Sequence, residues 1–252
     1  MKQAIQEKLT HIAHTEPLHF LLAVESGSRA WGFASPDSDY DVRAIYIRPQ
    51  PYYLQIDEAK DTFEFIENQW FDVGGWDIRK ALRLLRKSNA TLLEWLRSPI
   101  IYTQDDDFTG RLNALAPQYV QAAALLHHYR GIAGNALRNM DLAHPVKLKK
   151  WFYVLRPLLA ARWAVKQGGI PPMTLAELMS EWQTDCVTQI TDLVAIKVEQ
   201  DESYLHTLSS ELQRLTIDLY NEVSELSTPA AQATDSGPLN ELFCETLAAV
   251  YP

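Results

Sequence analysis

The chain has 252 residues, of which 47% are hydrophobic and 22% are charged, a composition typical of a folded domain and not of a disordered one. Its two cysteines lie far apart and outside any Cys/His cluster, which excludes a disulfide framework and a zinc site of the usual spacing. The net charge of −9 argues against a general nucleic-acid coat. The N-terminus lacks an apolar signal core, and no run approaches about 18 apolar residues, so we expect a cytoplasmic protein with no membrane partner.

The first hundred residues alternate between strand-like and helix-like patterns. Short apolar or alternating runs predict strands at residues 18–25, 42–48, 61–67 and 68–73. Gly74 and Gly75 are expected to end the last of these strands. Residues 78–89 place apolar side chains on one helical face and basic side chains outside it, which predicts an amphipathic helix. The N-terminal part is therefore expected to be an α/β (α+β) unit.

Beyond residue 105 the apolar spacing is helical almost throughout. Pro99 and three consecutive aspartates make residues 98–110 the expected boundary between the two patterns. Residues 227–238 have the composition of a linker, and a short amphipathic segment follows them. We expect three parts, namely an α/β domain at 1–105, a helical domain at 106–226, and a linker with a short helix at 227–252.

Three aspartates alternate just before the second predicted strand: Asp37, Asp39 and Asp41. An EF-hand is excluded, because Val42 stands where that loop needs glycine and Arg48 where it needs glutamate. A solvated turn accounts for Asp37. Asp39 and Asp41 instead run into the strand, where alternate residues share a face, and neighbouring carboxylates need a cation between them. Hard oxygen ligands favour Mg²⁺ or Mn²⁺.

A Gly-Ser pair precedes these aspartates by about ten residues. Gly27 allows backbone N–H groups to approach phosphate oxygens, and the Ser28 hydroxyl adds a donor. Arg29 has two interpretations, either a phosphate contact or an ion pair with Asp37 or Glu25. The pattern predicts a phosphate-binding turn followed by a pair of metal-binding carboxylates.

The segment ESGSRAWGFASPDSDYDVR resembles the signature of the DNA polymerase β-type nucleotidyltransferase superfamily, in which Gly-Ser or Gly-Gly precedes Asp-hydrophobic-Asp/Glu. The signature positions are occupied by Gly27, Ser28, Asp39 and Asp41, while Ser26 departs from the usual hydrophobic residue. Together with the segments at 76–100 and 146–163, it resembles predicted nucleotidyltransferases associated with RNA-repair ligases. That resemblance spans residues 18–180.

The resemblance implies a polymerase β-like catalytic domain with a mixed sheet, followed by an all-helical domain. It also implies metal-dependent transfer of a nucleoside monophosphate from a nucleoside triphosphate, with ATP as one candidate, to an acceptor hydroxyl, with release of pyrophosphate. RNA is one candidate acceptor. Asp39 and Asp41 would hold Mg²⁺ or Mn²⁺, and Gly27 and Ser28 would bind the β and γ phosphates.

The superfamily takes a third carboxylate from a neighbouring strand, and two residues are candidates. Asp72 lies between hydrophobic residues in Trp70-Phe71-Asp72-Val73, on a predicted strand. Asp77 is the alternative, although its position before the helix also suits an N-cap. Without a third acid, the chain would be a catalytically degenerate nucleotide- or RNA-binding module, or an antitoxin-like partner.

Basic and acidic residues are segregated in the helical region. Residues 142–174 contain six basic side chains and no acidic one, whereas fourteen acidic and two basic side chains follow from residue 177. Lys149, Tyr153 and Arg156 form one helical stripe with Lys150 beside it. The stripe is either a solvated basic face or a surface that binds phosphates and stacks a base. We predict that Lys150, Tyr153 and Arg156 contact nucleotide or RNA, and that Arg43 screens the strand carboxylates.

Overall fold

The computed structural model describes residues 1–68, 71–180, 182, 185–230 and 232–252, with the backbone alone at 66–68 and 71. Its strands are β1 (His19–Glu25), β2 (Tyr40–Ile47), β3 (Thr62–Asn68), β4 (Phe71–Asp77), β5 (Ile101–Gln104), β6 (Val146–Lys147) and β7 (Leu205–His206). Its α-helices are α1 (Lys2–Thr15), α2 (Gly27–Trp31), α3 (Gln50–Tyr53), α4 (Ile78–Arg86), α5 (Ala90–Trp95), α6 (Asp106–Leu115), α7 (Ala122–Arg138), α8 (Leu148–Lys166), α9 (Leu175–Met179), α10 (Cys186–Glu199), α11 (Ser210–Glu225) and α12 (Gly237–Val250). A bilayer-spanning helix, long and apolar enough to cross, is not found in this part of the chain.

The chain forms two compact units, and each is assembled from segments that are distant in sequence. Unit 1 comprises Met1–Ser26, Asp39–Val120 and Ala233–Pro252. Unit 2 comprises Gly27–Ser38 and Gln121–Gln232. These limits differ from the expected boundaries after residues 105 and 226, because long-range packing recruits the short segments.

Unit 1 is built on a five-stranded sheet with the order β3-β4-β2-β1-β5. Strands β2 and β4 are parallel, and the other neighbouring pairs are antiparallel. One face buries the apolar stripe of α1, in which Ile5, Leu9 and Ile12 recur at helical spacing. The structure therefore confirms the α/β class and the mixed sheet.

Strand β4 continues through Gly74 and Gly75, so the prediction that these glycines end the strand was wrong. A Cβ atom at Gly75 would lie 3.0 Å from the Phe63 ring and 3.2 Å from the Tyr46 ring. Glycine is therefore needed at position 75 for close packing and not for a turn. Trp70, one of the hydrophobic residues beside Asp72 in the sequence, lies outside the described residues.

The stretch at 98–110 and the C-terminal segment both belong to unit 1. The stretch contains β5, which pairs with β1 as an edge strand, and the start of α6. Helix α12 packs near α4 and α6. Its Phe243 ring lies 5.0 Å from the Tyr53 ring, and Glu245 pairs with Arg111. These contacts place the expected boundary and part of the expected C-terminal linker region inside one compact unit.

Unit 2 is helical apart from the two-residue antiparallel pair β6 and β7. Helices α7 and α8 pack along each other at its centre. The segment Gly27–Ser38 joins them through aromatic contacts, since the Phe33 ring stacks 4.8 Å from Phe152 and Trp31 meets Tyr153 edge-on at 4.8 Å. The loop between β1 and β2 therefore completes the core of the helical unit.

Candidate functional site

Strand register brings two of the predicted carboxylates together in unit 1. Asp41 of β2 is paired in register with Asp72 of β4, and residues in register on neighbouring strands share a face of the sheet. Arg43 lies two residues after Asp41, and its Nη2 is 3.1 Å from Asp41 Oδ1 and 2.8 Å from Asp72 Oδ2. One guanidinium thus neutralises part of the charge of two adjacent acids, as predicted for a screening role of Arg43.

Asp39 lies just before β2 and is exposed. Across the described ranges, three or more acidic, histidine or cysteine side chains are nowhere grouped so as to hold a metal ion. The pair Asp41 and Asp72 nevertheless has the donor chemistry of a divalent-cation site, because its hard carboxylate oxygens already attract a shared cation. The residues fit Mg²⁺ or Mn²⁺ in donor type, with Asp39 next to them along the chain.

Asp77 has a structural role at the start of α4. Its carboxylate accepts the Arg79 N–H at 2.9 Å and the Tyr53 hydroxyl at 2.8 Å. Burial raises the pKa of Asp77, although these hydrogen bonds act in the opposite direction. Asp77 is five residues beyond Asp72 along β4, roughly 16 Å in an extended strand, so it does not share a site with Asp41.

Glu25, at the end of β1, is a buried carboxylate whose role the sequence did not reveal. Its side chain accepts the Asp41 N–H at 2.7 Å and the hydroxyl of Tyr102, and the residue is 0% exposed. The carbonyl of Asp41 accepts the Ser26 N–H at 2.9 Å. The backbone of Asp41 is therefore fixed on both sides. In the sequence, the signal for this role of Glu25 is a charged residue at the end of an apolar strand.

The Gly-Ser segment lies in unit 2. Gly27 has a φ of +60°, a left-handed conformation that favours glycine, and it begins the short helix α2. The buried Ser28 hydroxyl donates to Ser38 Oγ at 3.2 Å, and Arg29 donates to the Ser38 carbonyl. Asp37 accepts the Glu202 N–H at 3.0 Å, so its carboxylate stabilises loop structure.

The predicted basic stripe separates into a surface part and an interior part. Lys149, Lys150 and Tyr153 line a cavity within unit 2. Arg156 does not line it, because its guanidinium is buried, donates to the Met173 carbonyl from Nε at 3.1 Å, and lies 4.5 Å over the Trp31 ring. The structure therefore gives Arg156 a packing role, and its predicted contact with nucleotide or RNA stays a prediction.

Comparison with known proteins identifies the family. The model of the RNA repair pathway DNA polymerase beta family, RlaP, matches residues 1–245. The chain belongs to this family of polymerase beta-like nucleotidyltransferases associated with RNA repair, which confirms the resemblance seen in the sequence.

Two similar proteins illustrate how far the likeness extends. The Uncharacterized protein YcgL of Bacillus subtilis (strain 168) is 43% identical over 181 residues, which are 72% of this chain and 70% of that protein. A solved nucleotidyltransferase-like protein from Exiguobacterium sibiricum is 13% identical with a TM-score of 0.33, covering 99% of this chain and 90% of that one.

Proposed function

We propose that the chain is a metal-dependent nucleotidyltransferase that moves a nucleoside monophosphate from a nucleoside triphosphate to an acceptor hydroxyl on RNA. The observation that carries the proposal is the pairing in register of Asp72 with Asp41, the last residue of the Asp-Tyr-Asp motif, on parallel strands. In the reaction, the acceptor oxygen bonds to the α-phosphorus, the bond to pyrophosphate breaks, and the hydroxyl proton is lost to solvent.

The carboxylates of Asp39, Asp41 and Asp72 are the proposed ligands of Mg²⁺ or Mn²⁺. Such a cation, when bound, activates the acceptor hydroxyl and neutralises charge on the triphosphate and the departing pyrophosphate. Arg43 orients the carboxylates of Asp41 and Asp72 before binding, since it hydrogen-bonds both. Glu25 fixes the backbone that carries Asp41. Each residue thus reduces the reorganisation needed at the reacting phosphate.

The phosphate contacts are assigned from the motif. Gly27 and Ser28 are the proposed partners of the β and γ phosphates, and Arg29 is a further candidate. The left-handed backbone at Gly27 supports this assignment, because side chains are strained in that conformation and glycine allows the close approach of a phosphate to the backbone.

A second function is favoured by one specific observation. Arg43 bridges Asp41 and Asp72, so the pair is already satisfied by a cation from the protein itself. A chain in which that bridge persists would be a catalytically degenerate nucleotide- or RNA-binding module, or an antitoxin-like partner, and would bind nucleotide without turnover.

Transfer of label separates these functions. The chain is incubated with each α-phosphate-labelled nucleoside triphosphate, Mg²⁺ or Mn²⁺, and total RNA. We expect labelled RNA from the wild type and a loss of about a hundredfold or more for Asp41→Asn and Asp72→Asn, the scale for removing one charge-stabilising group. Asp77→Asn is the matched control and should retain transfer. Absence of label with every nucleotide, together with nucleotide binding that survives Asp41→Asn/Asp72→Asn, would establish the degenerate function instead.

A further inference from the structure

A cavity of about 600 Å³ opens within unit 2, at the start of α8. This volume lies within the range of about 300–1,000 Å³ that is usual for ligand sites. The cavity is lined by three lysines, one tyrosine, two asparagines and two acids: Lys147, Lys149, Lys150, Tyr153, Asn135, Asn139, Asp37 and Glu202. Every one of these side chains belongs to the same compact unit.

The two acids in the cavity wall are already engaged by the protein. Glu202 forms an ion pair with Lys149 and accepts the Ser38 hydroxyl at 3.0 Å. Asp37 accepts the backbone N–H of Glu202. Lys147 and Lys150 are exposed and form no side-chain hydrogen bond or ion pair with any other residue that the structure describes. Lys147 interacts electrostatically with Asp201. The ammonium group of Lys150 is paired with no acid in the part of the chain that the structure describes.

The position of these lysines is electrostatically unfavourable for the isolated chain. Lys147 is the N-cap of α8, Lys149 and Lys150 lie in its first turn, and that turn carries no acidic residue and no side-chain cap. The N-terminus of a helix has partial positive charge and prefers anions. Three cations there repel one another and the helix dipole, and an anionic ligand relieves both repulsions. Places where a local rule is broken are often functional sites.

The other cavity residues suit a nucleobase. The Tyr153 ring is partly exposed and is fixed edge-on against Trp31. Asn135 and Asn139 are four residues apart, on one side of α7 and its C-terminal end, and each amide both donates and accepts. Stacking on an aromatic ring combined with polar contacts to base edges is how single-stranded RNA is bound.

We propose that this cavity binds a nucleotide unit of single-stranded RNA, with Lys147 and Lys150 on the phosphodiester and Tyr153 stacked on the base. The inference rests on the proposed function, because it names the site through which unit 2 holds the acceptor strand. A hydrogen-bonded chain connects the cavity with the motif segment, from Ser28 through Ser38 to Glu202 and Lys149. RNA that draws Lys149 toward phosphate would therefore change the partners of Ser28.

Binding is measured by fluorescence anisotropy with a labelled single-stranded RNA of about ten nucleotides, a usual site size, without nucleoside triphosphate or divalent metal. We expect Lys147→Gln/Lys150→Gln to weaken binding and to reduce the slope of log K against log salt by about 1.4, since each phosphate contact on a single strand contributes about 0.7. The matched control Lys2→Gln/Lys60→Gln removes two exposed lysines from unit 1 and should leave the slope unchanged.

The stacking residue has its own pair of variants. Tyr153→Leu should weaken binding by roughly 5- to 100-fold, and Tyr153→Phe should keep most of the affinity because the ring remains. Retained α-helical circular dichroism in both variants shows that the chain is folded.

Three outcomes would overturn the inference: no RNA binding by the wild type, equal loss in the two lysine pairs, or ATP displacing the labelled RNA as effectively as unlabelled RNA does. Failure of the proposed transfer reaction can be told apart from failure of this inference. Asp41→Asn should abolish label transfer and leave this metal-free RNA binding intact.

Discussion

The sheet of unit 1 and the cavity of unit 2 each bring side chains of like charge together, carboxylates in the sheet and ammonium groups in the cavity. At the strand ends, two carboxylates share one guanidinium, that of Arg43. In the cavity, three ammonium groups face two carboxylates, and those carboxylates are engaged by Lys149, a serine and a backbone N–H. The first region keeps excess negative charge and the second keeps excess positive charge. This excess charge supports the proposed cation in the first region and the proposed RNA phosphate in the second.

The two regions also differ in how rigidly they are built. Asp41 lies on a strand between two hydrogen-bonded neighbours, and the buried Glu25 holds its backbone. The cavity lysines are long side chains on the first turn of a helix, and two of them are exposed. This contrast suits chemistry at fixed carboxylates and electrostatic binding by mobile ammonium groups.

The largest expected effect comes from removing the support beneath Asp41. Glu25→Ala removes the carboxylate that accepts the part-buried Asp41 N–H and the buried Tyr102 hydroxyl. Because each such group costs about 1–3 kcal/mol, we expect the free energy of unfolding to fall by about 3 kcal/mol in urea titrations. Glu202→Ala in unit 2 should cost less, since that side chain is 26% exposed. Equal losses would contradict the difference in rigidity.

A smaller effect is expected from removing the cation between the strand carboxylates. Arg43→Gln leaves Asp41 and Asp72 as adjacent like charges, and these side chains are 38% and 39% exposed, so we expect a loss of about 1 kcal/mol or less. Added Mg²⁺ or Mn²⁺ should restore the melting temperature of this variant more than it raises that of the wild type, because the ion binds the folded state. Lys80→Gln, which breaks the Asp61 ion pair near the other end of β4, is the control and should show no such metal dependence.

The smallest effect concerns the acid stability of unit 2. Burial acts to raise the pKa of Glu202, but hydrogen bonds from Lys149 and Ser38 outweigh it, and the net pKa lies below the usual 4.5. The contribution of Glu202 to stability is therefore complete above the unfolded-state pKa and is lost as the pH falls through the lower folded-state value. In melting curves recorded below about pH 4.5, the free energy of unfolding should fall less with decreasing pH for Glu202→Gln than for the wild type. The difference should be less than about 1 kcal/mol. If the stability of both proteins fell equally as the pH is lowered, the ion pair between Glu202 and Lys149 would contribute nothing to stability.

The sequence predicted those parts of the molecule that depend on local pattern. Short apolar or alternating runs located strands β1 to β4 but not β5, β6 or β7. The position of Asp72 within one of these runs predicted a carboxylate on a strand, which parallel pairing places beside Asp41. The N-cap of α4 was also foreseeable, since Asp77 immediately precedes an amphipathic helix. Each of these inferences uses information from a few neighbouring residues.

Long-range pairing was not foreseeable in the same way. The basic stretch at 142–174 lacks acids along the chain, yet Glu202 pairs with Lys149 from 53 positions away and Glu222 pairs with Arg162 from 60 positions away. Gly75 looked like a strand end because its steric role depends on Phe63 and Tyr46 of neighbouring strands. Arg156 looked like a ligand contact because its position beneath Trp31 depends on a loop more than a hundred residues earlier.

The same loop has a consequence for synthesis of the chain. Residues 27–38 are made early, but their partners in unit 2 extend to residue 232, and unit 1 is completed only by residues 233–252. We therefore expect each core to be completed only when its last segment has left the ribosome. A fragment of residues 121–232 would lack the Trp31 and Phe33 rings that fill its interior. We therefore expect that fragment to fold only when a peptide of residues 27–38 is supplied with it.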